Sequence, residues 1–459
     1  MKLTLGQIAD YIHAEGDFNE DAEAFGYSID SRTINAGDLF FAVKGDRVDG
    51  HDYIEAALAN GAAGCVVSNH WLAPDEMDAS KLLWVPESED CVLKAMQTLA
   101  REVRRTWGRR VIAITGSAGK TTTKEAIATV LSAKFNVLKS AGNLNNQFGV
   151  PLQLLRLEPE HEVAIIEMGM NHAGEIAALC HVAEPNWGVV SNVGEAHIEF
   201  FPDGLAGIAR AKKELVDSLP ADGLAILNGD DDYVSKFGTA FTGKTVLFGW
   251  EHEFDVSIRD FENLGFDGLR MKVVARGLTV PLHLHLIGPH NVGNALSAIA
   301  AGIESGIPLP ECCFMLEQMT PPSKRGEVIE WRGARIINDT YNSNPDALIS
   351  MARALAGTNA VRRIAVVGEM LELGAEGPRL HAEAGHYLAG WGADIVIGVR
   401  GLASEIVKAA GENGAIAIYL ETPAEAGAWL AANLREGDAV LLKASRGVRL
   451  EAALAILLT

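Results

Sequence analysis

The chain has 459 residues, of which 48% are hydrophobic and 22% charged, a balance typical of a folded protein with a large apolar core. A chain of this length allows roughly two to four domains. The net charge of −21 argues against a nucleic-acid binder, because affinity for a phosphate backbone requires clustered Lys and Arg side chains.

The cysteines and the apolar runs predict the cellular location of the protein. Five cysteines are scattered along the chain, two of them adjacent (Cys312 and Cys313), without the spacing of a metal site. Such a set predicts reduced thiols and a cytoplasmic location. A capping box of Thr4 and Gln7 predicts an amphipathic helix through Ile12 rather than a signal peptide. No apolar run approaches the length of a membrane span, so we expect a soluble protein without membrane insertion.

The first part of the chain, residues 1 to about 83, predicts a small α/β domain. Strands are predicted over 39–43 and 65–67, with a helix ending at a glycine over 56–64 between them. Ser31, Arg32, Lys44 and His51 lie in the polar segments around the first strand. They either surround an anionic ligand or belong to solvated loops, and the pattern alone leaves both interpretations open.

A phosphate-binding loop is predicted near residue 120. The β-branched run 111–114 predicts a buried strand, the small residues 116–119 allow a tight turn, and a helix is predicted from Lys120 to Thr129. The N-terminus of a helix carries partial positive charge and attracts anions. In this pattern Lys120 reaches the β- and γ-phosphates and Thr121 ligates magnesium. Ile114 stands where the common pattern has a glycine, and a turn with a surface lysine is the competing interpretation.

Several predicted strands of the central part end in polar residues. They are 163–166 before Glu167, 188–190 before Ser191 and Asn192, and 224–227 before Asn228. Ligands of open α/β sheets bind beyond the carboxyl ends of the strands. Glu167 would be costly to bury unpaired and could share a magnesium ion with Thr121, or else cap a helix or form an ion pair. His197, in a glycine-containing loop after one of these strands, is either a site residue or a structural one.

The rest of the chain predicts a helix, a hairpin, a linker and a second sheet. The helix covers 91–105, the antiparallel hairpin covers 266–287, and a further helix runs from 288–291 through Ala301 until Gly306–Pro308 marks the approach to a linker at 320–326. Strands alternating with helices are then predicted at 335–338, 364–368, 394–398, 415–419 and 439–443. This alternation predicts a second doubly wound sheet. Its glycine loop, 368–374, lacks the dinucleotide-binding pattern.

Four stretches together resemble the Mur ligase family: 115–122, the strand end at Glu167, 192–197 and 288–291. Mur ligases are cytoplasmic ATP-dependent enzymes that form amide bonds in the peptidoglycan precursor, and a phosphate-binding loop without the early glycine is their form. The resemblance covers the whole chain. It implies an α/β protein of three domains: a small N-terminal domain for the UDP-linked substrate (1–83), a central phosphate-loop domain with a doubly wound sheet (84–319), and a Rossmann-like C-terminal domain (320–459).

Five further stretches bear on the reaction: 30–33, 142–146, 167–176, 339–345 and 368–374. They resemble the family members that add D-alanyl-D-alanine to a UDP-N-acetylmuramoyl tripeptide, with Ser343 where alanine is usual. The members that add a diamino acid carry an Asp-Asn-Pro-Arg signature, which this chain lacks. The sequence also leaves open a ligase similar to folylpolyglutamate synthase, a small-molecule kinase or nucleotide-driven switch, and a module that binds ATP without consuming it.

The resemblance also implies roles for individual residues. It assigns catalysis to Lys120, Glu167, His197 and Lys212. It assigns ATP binding to Gly116, Ser117, Ala118, Gly119, Lys120, Thr121, Thr122, Asn291, Arg325 and Asp339. It assigns substrate binding to Ser31, Arg32, Lys44, Asp49, Gly50, His51, Asn143, Asn145, Asn342, Asn344, Lys443, Ser445 and Arg446.

Phosphoryl transfer is expected to use two magnesium ions, whereas Thr121, Glu167 and His197 offer one carboxylate between them. Lys212 matches a position that several relatives convert to a carbamate, which would supply a second anionic ligand. The competing interpretation is an unmodified ammonium that binds a phosphate oxygen. Because ATP contacts are implied on both sides of 320–326, we expect a hinge there that closes the C-terminal domain of a monomer.

Overall fold

The computed structural model describes residues 1–45, 47–251 and 253–459, so Asp46 of the predicted loop over 44–51 lies outside the description. The N-terminal elements are β1 (Leu3–Thr4), α1 (Leu5–Ile12), β2 (Glu23–Ala24), β3 (Gly26–Ser28), β4 (Asp38–Phe41), α2 (Ile54–Ala59), β5 (Gly64–Ser68) and β6 (Leu82–Val85). Strands β3, β4, β5 and β6 form a parallel sheet in that order. The predicted capping box is confirmed, since Thr4 and Gln7 exchange both hydrogen bonds.

The long helix α3 (Cys91–Trp107) joins this small sheet to the centre of the molecule. It packs against α1 on one side. On the other side it packs against two helices of the central part, Gly149–Leu154 and Glu175–Ala183. One apolar core therefore contains residues from both parts, for example Leu83 of β6, Leu99 of α3 and Ile166 of a central strand, all fully buried. Shared burial of this kind fixes the small sheet relative to the centre.

Within the described residues, the central part contains nine strands and six α-helices. Its elements are β7 (Arg110–Thr115), α4 (Lys120–Leu131), β8 (Val137–Lys139), α5 (Gly149–Leu154), β9 (Val163–Glu167), α6 (Glu175–Ala183), β10 (Trp187–Val190), α7 (Leu205–Asp217), β11 (Leu224–Asn228), β12 (Lys244–Phe248), β13 (Val256–Asn263), β14 (Leu269–Ala275), β15 (Leu278–Leu284), α8 (Asn291–Glu304) and α9 (Leu309–Glu317). The predicted strands, the hairpin of β14 and β15, and the helix opened by Asn291 are all confirmed.

The strand order of the central sheet places the predicted site. The order is β15-β14-β13-β12-β11-β10-β7-β9-β8, so the chain moves to opposite sides of β7 before and after β9. Strands β8, β9, β7, β10, β11 and β12 are parallel. In such sheets the crevice at the reversal point, beyond the carboxyl ends of the strands, is where ligands bind. The phosphate-binding loop follows β7 and therefore opens into this crevice.

One prediction for the approach to the linker is wrong. Gly306–Pro308 ends α8 but leads into another helix, α9, and not into the linker. Helix α9 packs against β15, α8 and α4, and it buries Cys312, Cys313 and Leu316. Apolar burial and the favourable position of prolines at a helix start therefore outweigh the local signal for a chain break.

The C-terminal part forms a second sheet with helices on both faces. Its elements are β16 (Glu327–Trp331), β17 (Ala334–Asp339), α10 (Pro345–Ala356), β18 (Arg362–Gly368), α11 (Gly377–Gly390), β19 (Ile395–Val399), α12 (Ala403–Glu412), β20 (Ile416–Leu420), α13 (Pro423–Asn433), β21 (Asp438–Lys443) and α14 (Glu451–Leu458). The order is β16-β17-β21-β18-β19-β20, parallel except for β16 at the edge. The five predicted strands are confirmed, and β16 was not predicted.

These features confirm the predicted α/β class. Two separate apolar cores cover the two faces of the C-terminal sheet, as a doubly wound sheet requires. Among residues 1–45, 47–251 and 253–459, no helix combines the length and apolar character needed to cross a membrane.

Candidate active site

The phosphate-binding loop needs glycine at two positions because other side chains lie against it. A Cβ atom at Gly116 would overlap the hydroxyl of Ser191 at the end of β10, and one at Gly119 would lie 2.8 Å from Oδ1 of Asn294. Gly119 also has φ +81°, a left-handed conformation that side chains rarely adopt. The strand end of β10 and the helix α8 therefore fix the shape of the loop.

Asn192 ties the loop to the end of β10. The backbone N–H of Ser117 donates to the carbonyl of Asn192 at 3.1 Å, and the N–H of Ala118 donates to its side-chain Oδ1 at 2.8 Å. These two N–H groups are thus occupied within the protein. The first N–H groups of α4, which have no intrahelical acceptor in any α-helix, are left to face an anion.

Lys120 lies at the start of α4 with its side chain folded over the loop. Its Nζ donates to the carbonyl of Gly116 at 2.7 Å. Burial lowers the pKa of Lys120 below its usual value, Glu167 opposes this effect and Arg325 adds to it. Binding of a polyphosphate would supply the negative charge that this buried ammonium lacks.

Glu167 meets Thr121 where β9 ends beside the first turn of α4. The hydroxyl of Thr121 donates to Oε2 of Glu167 at 2.8 Å, and the amide of Asn145 donates to Oε1 at 2.9 Å. The interpretation as a helix-capping carboxylate does not apply, because Glu167 is buried and its partners lie in two other segments. A hydroxyl and a carboxylate oxygen side by side are suitable ligands for Mg²⁺.

His197 and Lys212, the other two residues predicted at the metal site, do not contact Thr121 or Glu167 through a hydrogen bond within the described part of the chain. His197 lines the same cavity, but Nδ1 lies 2.6 Å from Oε2 of Glu372 of the C-terminal part. Lys212 is buried in α7, and it makes no hydrogen bond or ion pair with any residue in the described part of the chain. Burial, with a smaller effect of Lys120, holds the pKa of Lys212 well below its usual value. Among the described residues, no group of three or more His, Cys, Asp or Glu side chains could by itself hold a metal ion.

Asn291 begins α8 and is engaged at both ends of its amide. Its Nδ2 donates to the carbonyl of Ile287 at 2.8 Å, and its Oδ1 accepts from Nδ2 of Asn294 at 2.9 Å. Asn294 in turn accepts from the hydroxyl of Thr123 in α4. The preceding His290 lines the cavity, and desolvation by the surrounding protein lowers its pKa to about 4. The position of Asn294, three residues after Asn291 on one helix face, is a signal that the sequence prediction missed.

The C-terminal residues predicted at the site do reach it. The guanidinium of Arg325 lies over the ring of Tyr341 at 3.9 Å. Lys443 forms a buried ion pair with Asp339 and donates to the carbonyl of Asn342 at 3.0 Å. Each charged group in this cluster is therefore held by a neighbour, which keeps the cluster ordered before any ligand binds.

Three further predicted residues of the C-terminal domain, Asn342, Asn344 and Ser445, form hydrogen bonds with other protein groups. Asn344 caps α10 through the N–H of Ala347 at 2.9 Å, and its amide donates to the carbonyl of Ser117 at 3.3 Å across the two sheets. The N–H of Arg446 donates to Oδ1 of Asn342 at 3.3 Å. The hydroxyl of Ser445 is buried between backbone groups of its own domain.

One cavity of about 1040 Å³ collects most of the predicted residues. From the central part it is lined by Ser117, Ala118, Gly119, Lys120, Thr121, Thr122, Asn143, Asn145, Glu167, His197 and Asn291, and from the C-terminal part by Arg325, Asp339, Asn342, Asn344, Lys443 and Arg446. Residues far apart in the chain thus face one space. Gly116, Lys212 and Ser445 are not among its lining residues, and Tyr341 is a lining residue that the sequence prediction missed.

The candidates of the small N-terminal domain do not line this cavity. Arg32 is 85% exposed and forms a two-point ion pair with Asp30, at 2.9 and 2.7 Å. Ser31 is buried, and its carbonyl accepts from Asn60 at 2.9 Å. A separate site in this domain is therefore required if these residues bind substrate.

The loop after β4 is fixed by internal bonds. His51 Nδ1 lies 2.6 Å from Asp49, and its Nε2 accepts from the N–H of Ser68 at 3.0 Å. A Cβ at Gly50 would lie 2.6 Å from the carbonyl carbon of Ala42, so this glycine is required for packing. Lys44 pairs with Asp49 through a backbone bridge. These contacts order Lys44 and residues 49–51, and the role of these residues in substrate binding stays a prediction.

Comparison with known proteins gives consistent matches along the chain. Residues 25–89 match the model described as "Mur ligase family, catalytic domain", residues 114–302 the "Mur ligase middle domain", and residues 324–446 the "Mur ligase, glutamate ligase domain". The UDP-N-acetylmuramoyl-tripeptide–D-alanyl-D-alanine ligase of Synechocystis is 36% identical, over 100% of this chain and 98% of the relative. The ligase of the same name from Escherichia coli is 34% identical, over 90% and 89%.

Solved structures agree with these matches. A crystal structure of MurF from Acinetobacter baumannii has a TM-score of 0.89 at 30% identity, covering 100% of this chain and 99% of that one. The Thermotoga maritima MurF ligase in complex with ADP has a TM-score of 0.83 at 30% identity, covering 94% and 96%. A Mycobacterium tuberculosis folylpolyglutamate synthase, at 14% identity and a TM-score of 0.63, shares the fold alone. The chain belongs to the Mur ligase family.

Proposed function

We propose that this protein is an ATP-dependent ligase that joins D-alanyl-D-alanine to a UDP-N-acetylmuramoyl tripeptide in the synthesis of the peptidoglycan precursor. The observation that carries the proposal is the single cavity in which Lys120, Glu167 and Arg325 face one another. Similarity along the full length to ligases of that name supports the choice of substrates, and the absence of an Asp-Asn-Pro-Arg tetrapeptide argues against a diamino-acid-adding relative.

The reaction follows from the charges around the cavity. A carboxylate oxygen of the tripeptide attacks the γ-phosphorus of ATP, the bond to the β-phosphate oxygen breaks, and an acyl phosphate and ADP result. The dipeptide amine then attacks the acyl carbon, loses a proton and expels phosphate. Lys120 and Arg325 stabilise the charge that develops during phosphoryl transfer. No side chain of the enzyme forms a covalent intermediate in this scheme.

Thr121 and Glu167 are the residues that would hold magnesium, since their hydroxyl and carboxylate oxygens lie 2.8 Å apart at the phosphate-binding loop. When bound, magnesium neutralises the charge of the phosphates. We extend the proposal to two ions and to His197 and Lys212 as further members of the site. For Lys212 the chemistry is addition of its neutral amine to carbon dioxide, which gives a carbamate and releases one proton.

The state of Lys212 is tested by chemical rescue. Lys212→Ala is expected to lose activity, and short-chain carboxylates are expected to restore part of it if a carbamate was present. Lys213→Ala is the matched control, because Lys213 lies next to Lys212 but forms an ion pair with Asp217 at the surface. Rescue by small amines but not by carboxylates would instead indicate an ammonium that binds phosphate directly.

We place the UDP end of the tripeptide substrate in the N-terminal domain, near Ser31 and Arg32. Arg32→Ala is expected to raise the KM for the UDP-linked substrate and to leave the KM for ATP nearly unchanged, because Arg32 lies outside the ATP cavity. Its exposed two-point pair with Asp30 contributes little to stability. An equal rise of both KM values would contradict this placement.

We further propose domain boundaries after residues 83 and 319, a monomeric state and a cytoplasmic location. The three larger sheets of the described residues, at 26–85, 110–284 and 327–443, follow these limits, apart from the last two residues of β6. Strand β6 ends at Val85, so a boundary between β6 and α3, at 86–90, agrees better with the sheet than one after residue 83.

The test of the proposed function is phosphate release that depends on both peptide substrates. Purified protein with ATP and magnesium is expected to release phosphate only when the muramyl tripeptide and D-alanyl-D-alanine are both present, with a product whose mass equals their sum less one water. Formation of ADP and a phosphorylated tripeptide without release of phosphate would indicate a kinase, and ATP binding without formation of ADP would indicate a binding module. Release with glutamate in place of the dipeptide would indicate a ligase similar to folylpolyglutamate synthase.

A further inference from the structure

Glu372, in the loop between β18 and α11 of the C-terminal domain, reaches across to the central domain. Its Oε2 lies 2.6 Å from Nδ1 of His197. The histidine nitrogen is buried, and the contact is short without the alignment of a hydrogen bond. Proximity and charge therefore define the pair. We propose that Glu372 is a positioning residue, which orients the imidazole of His197 toward the cavity when the two domains are docked; this inference rests on the proposed ligase function.

The backbone supports a specific arrangement of the two residues. Glu372 has φ +63° and His197 has φ +62°, so both lie in the left-handed region that favours glycine. Non-glycine residues in this region are held there by their surroundings and occur often at functional sites. Two such residues face each other across the domain interface. Relaxing either backbone would swing its side chain away from the other.

Contacts on either side of the pair hold the domains together without Glu372. Oδ2 of Asp346 in α10 accepts from the N–H of Glu195 at 3.0 Å. Arg379 of α11 lies 3.5 Å from the carboxylate of Glu195. Gly374 approaches Glu199 so closely that a Cβ there would lie 2.8 Å from Cβ of Glu199. Loss of the Glu372 carboxylate should consequently leave docking intact and affect His197 alone.

The chemistry of imidazole explains why this orientation matters. A carboxylate close to one ring nitrogen favours the proton on that nitrogen by electrostatic attraction, which leaves the lone pair on the other nitrogen, at the far side of the ring. With Nδ1 at Glu372, Nε2 is the nitrogen available to the cavity that His197 lines. The competing interpretation is an ordinary surface ion pair, since Glu372 and His197 are 46% and 25% exposed. That interpretation predicts almost no effect of removing the charge.

The experiment compares Glu372→Gln with Glu376→Gln. Glu376 lies four residues further in the same segment and pairs with Arg379 of its own domain, so it is a matched control. With the non-hydrolysable ATP analogue present, ¹⁵N-histidine spectra assigned with His197→Gln are expected to show altered ring-nitrogen shifts of His197 in Glu372→Gln and wild-type shifts in Glu376→Gln. We expect kcat to fall about 10- to 100-fold in Glu372→Gln, with the KM for ATP changed less than about threefold.

Each result decides the inference. Equal spectra and equal kcat for the two variants would overturn it. A fall in kcat with unchanged ring-nitrogen shifts of His197 would also overturn it. So would a double variant, Glu372→Gln with His197→Gln, whose loss of kcat equals the product of the two single losses, because Glu372 would then act independently of His197. If Glu372→Gln fails to fold, Glu372→Asp is measured by the same spectra. If the wild-type protein does not join the dipeptide to the tripeptide, the proposed function is refuted instead. The spectra would still decide the orientation of His197.

Discussion

Burial sets the behaviour of the titratable side chains at the centre of the site. Lys120 and Lys212 both have pKa values below the usual lysine value because the protein desolvates both, Lys212 in the interior and Lys120 at the wall of the cavity. Lys120 has a nearby carboxylate in Glu167, whereas Lys212 has neither an ion pair nor a hydrogen bond among the described residues. A buried amine of this kind is easily deprotonated, and a neutral amine is the form that reacts with carbon dioxide.

At the residue scale, Lys120→Ala is expected to abolish turnover. The phosphate-binding loop would lose the cation that lies over it, and ground-state contacts of the loop backbone would remain. Phosphate release is the measurement, and Lys139→Ala is the control, since Lys139 is an exposed lysine paired with Glu125. A rate within about tenfold of wild type, or roughly 1.4 kcal/mol of barrier, would show that Lys120 does not serve the transferred phosphoryl group.

His290 gives a second prediction at this scale, on stability against pH. Its pKa is about 4 in the folded protein, against about 6.5 in an unfolded chain. Between these values the unfolded state binds more protons, so the free energy of unfolding falls as pH falls from about 6.5 toward 4. His290→Gln should reduce this loss in denaturant titrations, and His70→Gln, in the N-terminal domain and outside the cavity, is the comparison variant. Equal pH dependence in both variants would contradict a neutral His290 in the folded protein.

At the scale of secondary-structure elements, a loop of the central sheet packs against a loop and a helix of the C-terminal sheet. The loop after β10 (192–200) contacts the loop between β18 and α11 and the first turn of α10. Gly194 is the tightest point, because a Cβ there would overlap the carboxylate of Asp346, which is held by the N–H of Glu195. The helix α10 can therefore dock only against a glycine.

We accordingly expect Gly194→Ala to impair docking of the C-terminal domain. Turnover should fall at least about tenfold, roughly 1.4 kcal/mol, because Arg325 and Asp339 would no longer reach the central cavity. ADP affinity should fall less, since most of the phosphate contacts come from the central domain. Gly390→Ala is the control, as that glycine has no heavy atom within 4 Å of the added Cβ. Wild-type turnover in Gly194→Ala would show that the interface tolerates the methyl group.

At the scale of the whole molecule, the structure has the C-terminal domain docked against the phosphate-binding loop. The amide of Asn344 reaches Ser117, and one cavity spans both domains. The segment 320–326 connects the domains without helix or strand, with Lys324 at φ +60°. Interfaces within a chain that contain polar contacts of this kind allow domain motion.

We expect this segment to act as a hinge that closes when substrates bind. Small-angle scattering should give a smaller radius of gyration with a non-hydrolysable ATP analogue and tripeptide together than without ligand. The tripeptide alone, which is bound through the N-terminal domain in our proposal, serves as the control and should give a smaller change. An unchanged radius of gyration with both ligands would mean that the docked arrangement persists without them.

The sequence by itself determined the local structures and the central chemistry. Strand, glycine loop and helix at 111–124, the strand end at Glu167 and the hairpin of β14 and β15 depend on patterns within about 20 residues, so the chain carries their signals locally. The tertiary structure decided which side chains become partners. Glu372 with His197 and Lys443 with Asp339 are more than 100 residues apart in the chain, and their pairing depends on strand order and domain docking. Helix α9 likewise was not predicted between Gly306–Pro308 and the linker at 320–326, because it is stabilised by burial of its apolar face against β15 and α8.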